Sequence, residues 1–168
     1  MQRLFEYIIF FVTVVLLQTL LFDNLVLTRY VVPLYYVVFI LLLPVNIGRM
    51  PLLLLGALMG VVTDALMGVA GLNVIATTAV AFTRPAIMRL SMGSEMQHEK
   101  IPFGGAISDG AFLLYAAILV SLHQTLFFGF ESLGSHFFFT VAKIVCSTLT
   151  TVVLVWITAA LFRRVTNR

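Results

Sequence analysis

Pro51-Leu52-Leu53-Leu54-Leu55-Gly56-Ala57-Leu58-Met59-Gly60-Val61-Val62-Thr63-Asp64-Ala65-Leu66-Met67-Gly68 decides the fold. Within it only Asp64 is charged, and the apolar residues surround the whole circumference of a helix instead of one face. A helix of that kind is buried on all sides, in a core or in a bilayer. Its opening proline suits a first turn, where no backbone N–H is needed. Gly56, Gly60, Asp64 and Gly68 recur at every fourth position and form one slowly drifting stripe. The Gly56–Gly60 step lets another helix approach closely.

The same character extends outward through the chain. Of 168 residues, 61% are hydrophobic, 10% are charged, and the mean hydropathy is +1.11. A soluble domain of this size needs a polar skin that this composition does not supply. The composition excludes a soluble enzyme, a nucleic-acid-binding domain and a disordered chain. It predicts one all-α integral membrane domain over residues 1–168, with little outside the bilayer.

Six apolar spans are expected, at about 4–22, 30–45, 51–68, 72–90, 103–128 and 137–162. The first follows Met1-Gln2-Arg3, is too long for a signal h-region and ends at Asp23-Asn24 instead of a cleavage site, so it reads as a retained helix. The second is short, with Pro33 near its start and Pro44 near its end. The fourth contains Pro85, which removes a hydrogen bond to Ala81 and predicts a kink. The spans lack the two-residue alternation of barrel strands.

With the N-terminus inside, Arg3, Arg49, Arg89, Lys100, Arg163, Arg164 and Arg168 fall on the cytoplasmic side and only Arg29 outside. That asymmetry favours both termini in the cytoplasm and an even number of spans. The loops at Ser91–Pro102 and Gly129–His136 are too short to fold as domains. The aromatic residues Tyr30, Tyr35, Tyr36, Phe127, Phe128 and Phe137–Phe139 cluster toward the outer face and read as interfacial anchors.

Charges inside spans are functional hypotheses by default. Depth along the helices sorts them into two opposite pairs, Asp64 with Lys143 in the outer half and Arg84 with Asp109 in the inner half. Two structural bridges and an ion or proton relay both fit this sorting, and Arg84 has the further option of snorkelling. The stripe Gly56, Gly60, Asp64, Gly68 is likewise open to two readings: packing inside the bundle, or docking of a partner's helix. Ala106 and Gly110 make a similar small-residue step.

No catalytic arrangement stands out. Ser121 and His123 are two apart and do not face each other on a helix. Cys146 stands alone, so no intrachain disulfide forms, and with the scattered His98, His123 and His136 it makes no zinc site. No cofactor is expected, and the chain reads as non-enzymatic.

Several stretches resemble the bacterial rod shape-determining protein MreD family. They are Leu17-Gln18-Thr19-Leu20-Leu21-Phe22; Pro33-Leu34-Tyr35-Tyr36-Val37-Val38-Phe39 with Leu43-Pro44; Pro51 through Gly60, Asp64, Gly68 and Gly71; and Phe82-Thr83-Arg84-Pro85. The resemblance is concentrated in residues 17–85, and residues 86–168 match in general character only. It implies a six-helix inner-membrane bundle similar to the substrate-binding S-components of vitamin transporters. It also implies a scaffold of the cell-elongation complex, or elongasome, which serves lateral peptidoglycan synthesis and rod shape. The partners implied are single-span MreC, actin-like MreB, and the RodA glycosyltransferase with its transpeptidase partner. The loop Ser91–Pro102 and the arginine-rich tail are candidates for internal partners or anionic lipid.

Two rival classes remain. An S-component-like transporter subunit would need an outer pocket, for which Asn73, Asp64, Lys143 and Tyr36 are available. An ion-coupled carrier would need titrating carboxylates at Asp64 or Asp109.

Overall fold

A computed structural model describes residues 2–24, 31–93, 102, 107–132 and 137–166. Every regular element among the described residues is helical. Helix α1 covers Gln2–Leu17 and ends in a π-helical turn, Gln18–Phe22. There the Asp23 amide donates to the carbonyl of Gln18, five residues back, at 2.9 Å. Helix α2 is Val37–Leu42, α3 Arg49–Met67, α4 Leu72–Met92, α5 Asp109–Ser132 and α6 Phe137–Thr166.

Four helical stretches are long and apolar enough to cross a membrane: Phe5–Phe22, Arg49–Met67, Asp109–Ser132 and Phe137–Arg163. The chain is therefore a membrane protein. Helix α4 is as long, at 21 residues, but carries Asn73, three threonines, Arg84 and Arg89. It lies between α3 and α5, its principal neighbours.

The second expected span is corrected most. As a helix, residues 30–45 would rise about 24 Å, short of a hydrocarbon core of about 30 Å. The structure has only six helical residues there, Val37–Leu42, flanked by non-helical arms. Extended chain advances about 3.3 Å per residue, roughly twice a helix, so the arms lengthen the reach. Pro44 dictates the lower arm: the residue before proline is pushed out of the helical region, and Leu43 has φ −57° and ψ 153°. Every residue from Leu34 to Leu43 is buried, so this segment is the centre of the core, packed against α1, α3, α4 and α5.

The long helices alternate in direction. Arg163 near the end of α6 meets Asp109 at the start of α5. Arg49 at the start of α3 and Arg89 near the end of α4 line one groove. Phe10 of α1 stacks edge-on against Phe162 of α6, ring centroids 5.3 Å apart. These contacts put one basic end together, while Glu131 and Lys143 meet at the other. The turn from α3 to α4 uses left-handed glycines, Gly68 at φ +67° and Gly71 at φ +81°.

Helix α4 runs unbroken through Pro85. Tyr35 and Tyr36 are not interfacial: they are 7% and 0% exposed, and Phe127 and Phe128 are buried too. Phe137 and Phe138 are exposed. Tyr30, Arg29, His98, Ala106 and His136, most of the loop Ser91–Pro102, and Arg168 lie outside the described residues.

Candidate functional site

The non-helical arms bring backbone N–H and C=O groups into an apolar interior, where each needs a partner. Two side chains supply most of them. Gln18, on the π-helical turn of α1, is fully buried. Its Oε1 accepts from the amides of Tyr35 at 2.7 Å and Tyr36 at 3.3 Å. Its Nε2 donates to the Pro33 carbonyl at 3.3 Å and to Asp23 Oδ1 at 2.7 Å. Partial burial pushes the Asp23 carboxyl above its ordinary value, and the Gln18 amide pulls it back down. Ser147 Oγ of α6 accepts from the Val32 amide at 3.0 Å.

Arg84 of α4 holds the other end. Its guanidinium donates to the carbonyls of Leu43, Leu41 at 3.5 Å and Pro44 at 3.4 Å. Its Nε donates to the Tyr115 hydroxyl at 2.9 Å, and that hydroxyl donates to the Leu41 carbonyl at 2.9 Å. A cation at carbonyls released from a helix C-terminus is electrostatically well placed.

Between the two ends, the Tyr36 hydroxyl donates to Asn73 Oδ1 and lies 3.1 Å from His123 Nε2. Asn73 sits in the first turn of α4, and Asp64 on α3 caps that turn from outside. Its carboxylate accepts the Asn73 amide at 3.0 Å and the Val74 amide at 3.1 Å. Thr77 Oγ1 donates to the Asn73 carbonyl at 2.7 Å. Beside this cluster Gln124 Nε2 donates to Thr151 Oγ1 at 3.2 Å. His123 Nδ1 and Gln124 Oε1 are buried with no hydrogen-bond partner among the described residues.

Both expected intramembrane pairs are re-sorted. Asp64 is matched with backbone amides and not with Lys143. Lys143 instead bridges to Glu131 at 2.8 Å and lies 4.2 Å from the centre of the Phe128 ring. Arg84 is matched with carbonyls and not with Asp109, which bridges to Arg163. Depth alone made the pairs, but helix ends present charges of their own that satisfy buried ions equally well. Helical neighbours matter too: Glu131 and Arg163 lie near helix ends, where sequence depth gave them no role.

The glycine stripe faces α4. A Cβ on Gly56 would sit 2.8 Å from Ala81 Cβ, and one on Gly60 would sit 2.4 Å from Val74 Cα. Gly68 is the left-handed cap of α3 with nothing within 4 Å of its missing Cβ. Gly56, Gly60 and Asp64 are thus filled by the chain's own next helix, and no partner helix can occupy the same strip. Sequence reasoning missed Gln18, Tyr115 and Ser147. For Gln18, an amide side chain deep in a mostly apolar span was the available signal.

Among the described residues no group of three or more His, Cys, Asp or Glu side chains is arranged to hold a metal. The polar groups make a structural network that fixes the central segment. No family model, no curated protein and no solved structure matches the chain.

Proposed function

We propose that this chain is an MreD-like scaffold of the bacterial cell-elongation complex, a six-span, N-in/C-in protein of the inner membrane that works by assembly and not by chemistry. Its partners would be MreC directly, and MreB, RodA and the RodA-associated transpeptidase directly or through MreC. The sequence stretches in residues 17–85 that resemble the MreD family support this reading.

The observation that carries it is the occupied bundle centre. Leu34–Leu43 fills the position between the long helices, and its ends are tied to Gln18 and Arg84. The rival transporter-subunit reading would use Asn73, Asp64, Lys143 and Tyr36 to line a pocket. Each of these has an internal partner instead, and Asn73 and Tyr36 are fully buried against each other. The carrier reading is weakened likewise, since both Asp64 oxygens accept backbone amides and Asp109 is paired with Arg163.

Depletion in the native bacterium, followed by microscopy and affinity capture, tests the proposal. Rods should round up, and the tagged protein should recover MreC. Unchanged shape together with lost uptake of a vitamin would favour the transporter subunit and sink the scaffold reading.

A further inference from the structure

We propose that the groove between the start of α3 and the last turns of α4 binds one anionic glycerophospholipid, with its phosphate between Arg49 and Arg89 and an acyl chain along Leu53, Phe82, Pro85 and Ala86. The groove has a volume of about 260 Å³, and both arginines line it. Residues 82, 85, 86 and 89 share one face of α4, and residues 49, 52 and 53 share one face of α3.

The groove follows from the packing. The glycine contacts that draw α3 and α4 together run from Gly60–Val74 to Gly56–Ala81. Nearer the start of α3 no glycine faces α4, and past the Gly56–Ala81 contact the small side chain of Ala86 leaves the space open. Phe82 stands 73% exposed at the inner end of the groove, about 10 Å along the helix axis from Arg89. The groove thus grades from charged at the helix ends to apolar toward the bundle middle, as a phospholipid grades from phosphate to chain.

Charge complementarity selects the occupant. Arg49 and Arg89 are exposed, and neither has an acidic partner among the described residues; the salt bridges there are Lys143–Glu131 and Arg163–Asp109. Arg89 Nε donates to the Pro85 carbonyl at 3.2 Å, which leaves its terminal nitrogens for a ligand. Planar guanidinium groups match phosphate oxygens in pairs. Basic pockets between membrane helices bind anionic headgroups on these terms.

Native mass spectrometry of the full chain in detergent, with equimolar phosphatidylglycerol and phosphatidylcholine, tests the site. Phosphatidylglycerol should be retained preferentially. The double variant Arg49→Gln with Arg89→Gln should weaken its binding by roughly tenfold to thirtyfold. Ala86→Phe, which fills the groove and keeps both arginines, should also lose it. Arg164→Gln with Arg168→Gln removes the same charge from the tail and should retain the lipid. Equal retention of the two lipids would overturn the proposal. So would an equal loss from the tail variant, which would indicate diffuse charge attraction. A dimer abolished by the groove variants with lipid retention unchanged would assign the groove to a second copy and overturn it as well.

Discussion

Arg84 is 1% exposed, and its guanidinium meets three carbonyl oxygens and a tyrosine hydroxyl instead of a carboxylate. Burying a cation this way is tolerable only because the carbonyls of Leu41, Leu43 and Pro44 need donors as much as the cation needs acceptors. Removing the side chain takes the guanidinium donors from Leu43 and Pro44, while Leu41 keeps the Tyr115 hydroxyl, at about 1–3 kcal/mol for each group left without a partner. Arg84→Met should therefore destabilise the fold by about 3 kcal/mol or more. Arg84→Lys keeps the charge but not the planar spread of five donors, and should recover only part of the loss. Thermal unfolding in detergent reads both. A melting temperature unchanged in Arg84→Met would show that the guanidinium does not hold the lower arm. The sequence marked Arg84 as costly and therefore important. Its partners were not legible, because an unpaired carbonyl exists only once Leu43-Pro44 has left the helical conformation.

At the scale of the element, α3 and α4 separate two uses of glycine. Gly60 is there for space: the backbone of Val74 stands where its Cβ would be, and backbone cannot rotate aside. Gly68 is there for conformation: its φ is +67° and the surrounding space is open. Gly68→Ala should cost about 1–2 kcal/mol, the left-handed penalty of an L-residue. Gly60→Ala should cost more, at the top of the roughly 1–3 kcal/mol range of overpacking or beyond, since α3 must move off α4. Paired unfolding measurements decide this, and a larger effect at Gly68 would mean that α3 and α4 are not in such close contact. The close approach was legible in the spacing of Gly56 and Gly60. The identity of the approaching helix was not, since small residues report how near a neighbour comes and not which one it is. Asp64 in the same stripe looked like half of an ion pair, yet the neighbour that the glycines admit also delivers the start of α4, whose free amides take the carboxylate.

For the whole molecule, the segment from Val31 to Asn46 determines how many times the chain crosses. Its upper arm is bonded to Gln18, near the end of the first span, and its lower arm to Arg84, on the side where α3 begins. It thus runs between the Gln18 end and the Arg84 end of the bundle with six helical residues, and the proposed six-span reading counts it as a crossing made largely by extended chain. The six-span count drawn from the sequence therefore depends on a segment whose shortness was visible, although its extended arms were not. Cysteine accessibility tests the crossing. In a Cys146→Ala background, Asn24→Cys, Asn46→Cys and Ala70→Cys each place one thiol at an exposed position. A membrane-impermeant maleimide applied to cells whose inner membrane is intact but reachable should label positions 24 and 70. Position 46 should react only after that membrane is permeabilised, because the proposed N-in, C-in arrangement puts the basic end of the bundle on the cytoplasmic side. Labelling of 24 and 46 from the same side would mean that the central segment enters and returns, leaving five crossings, and the N-in, C-in arrangement would fall with it.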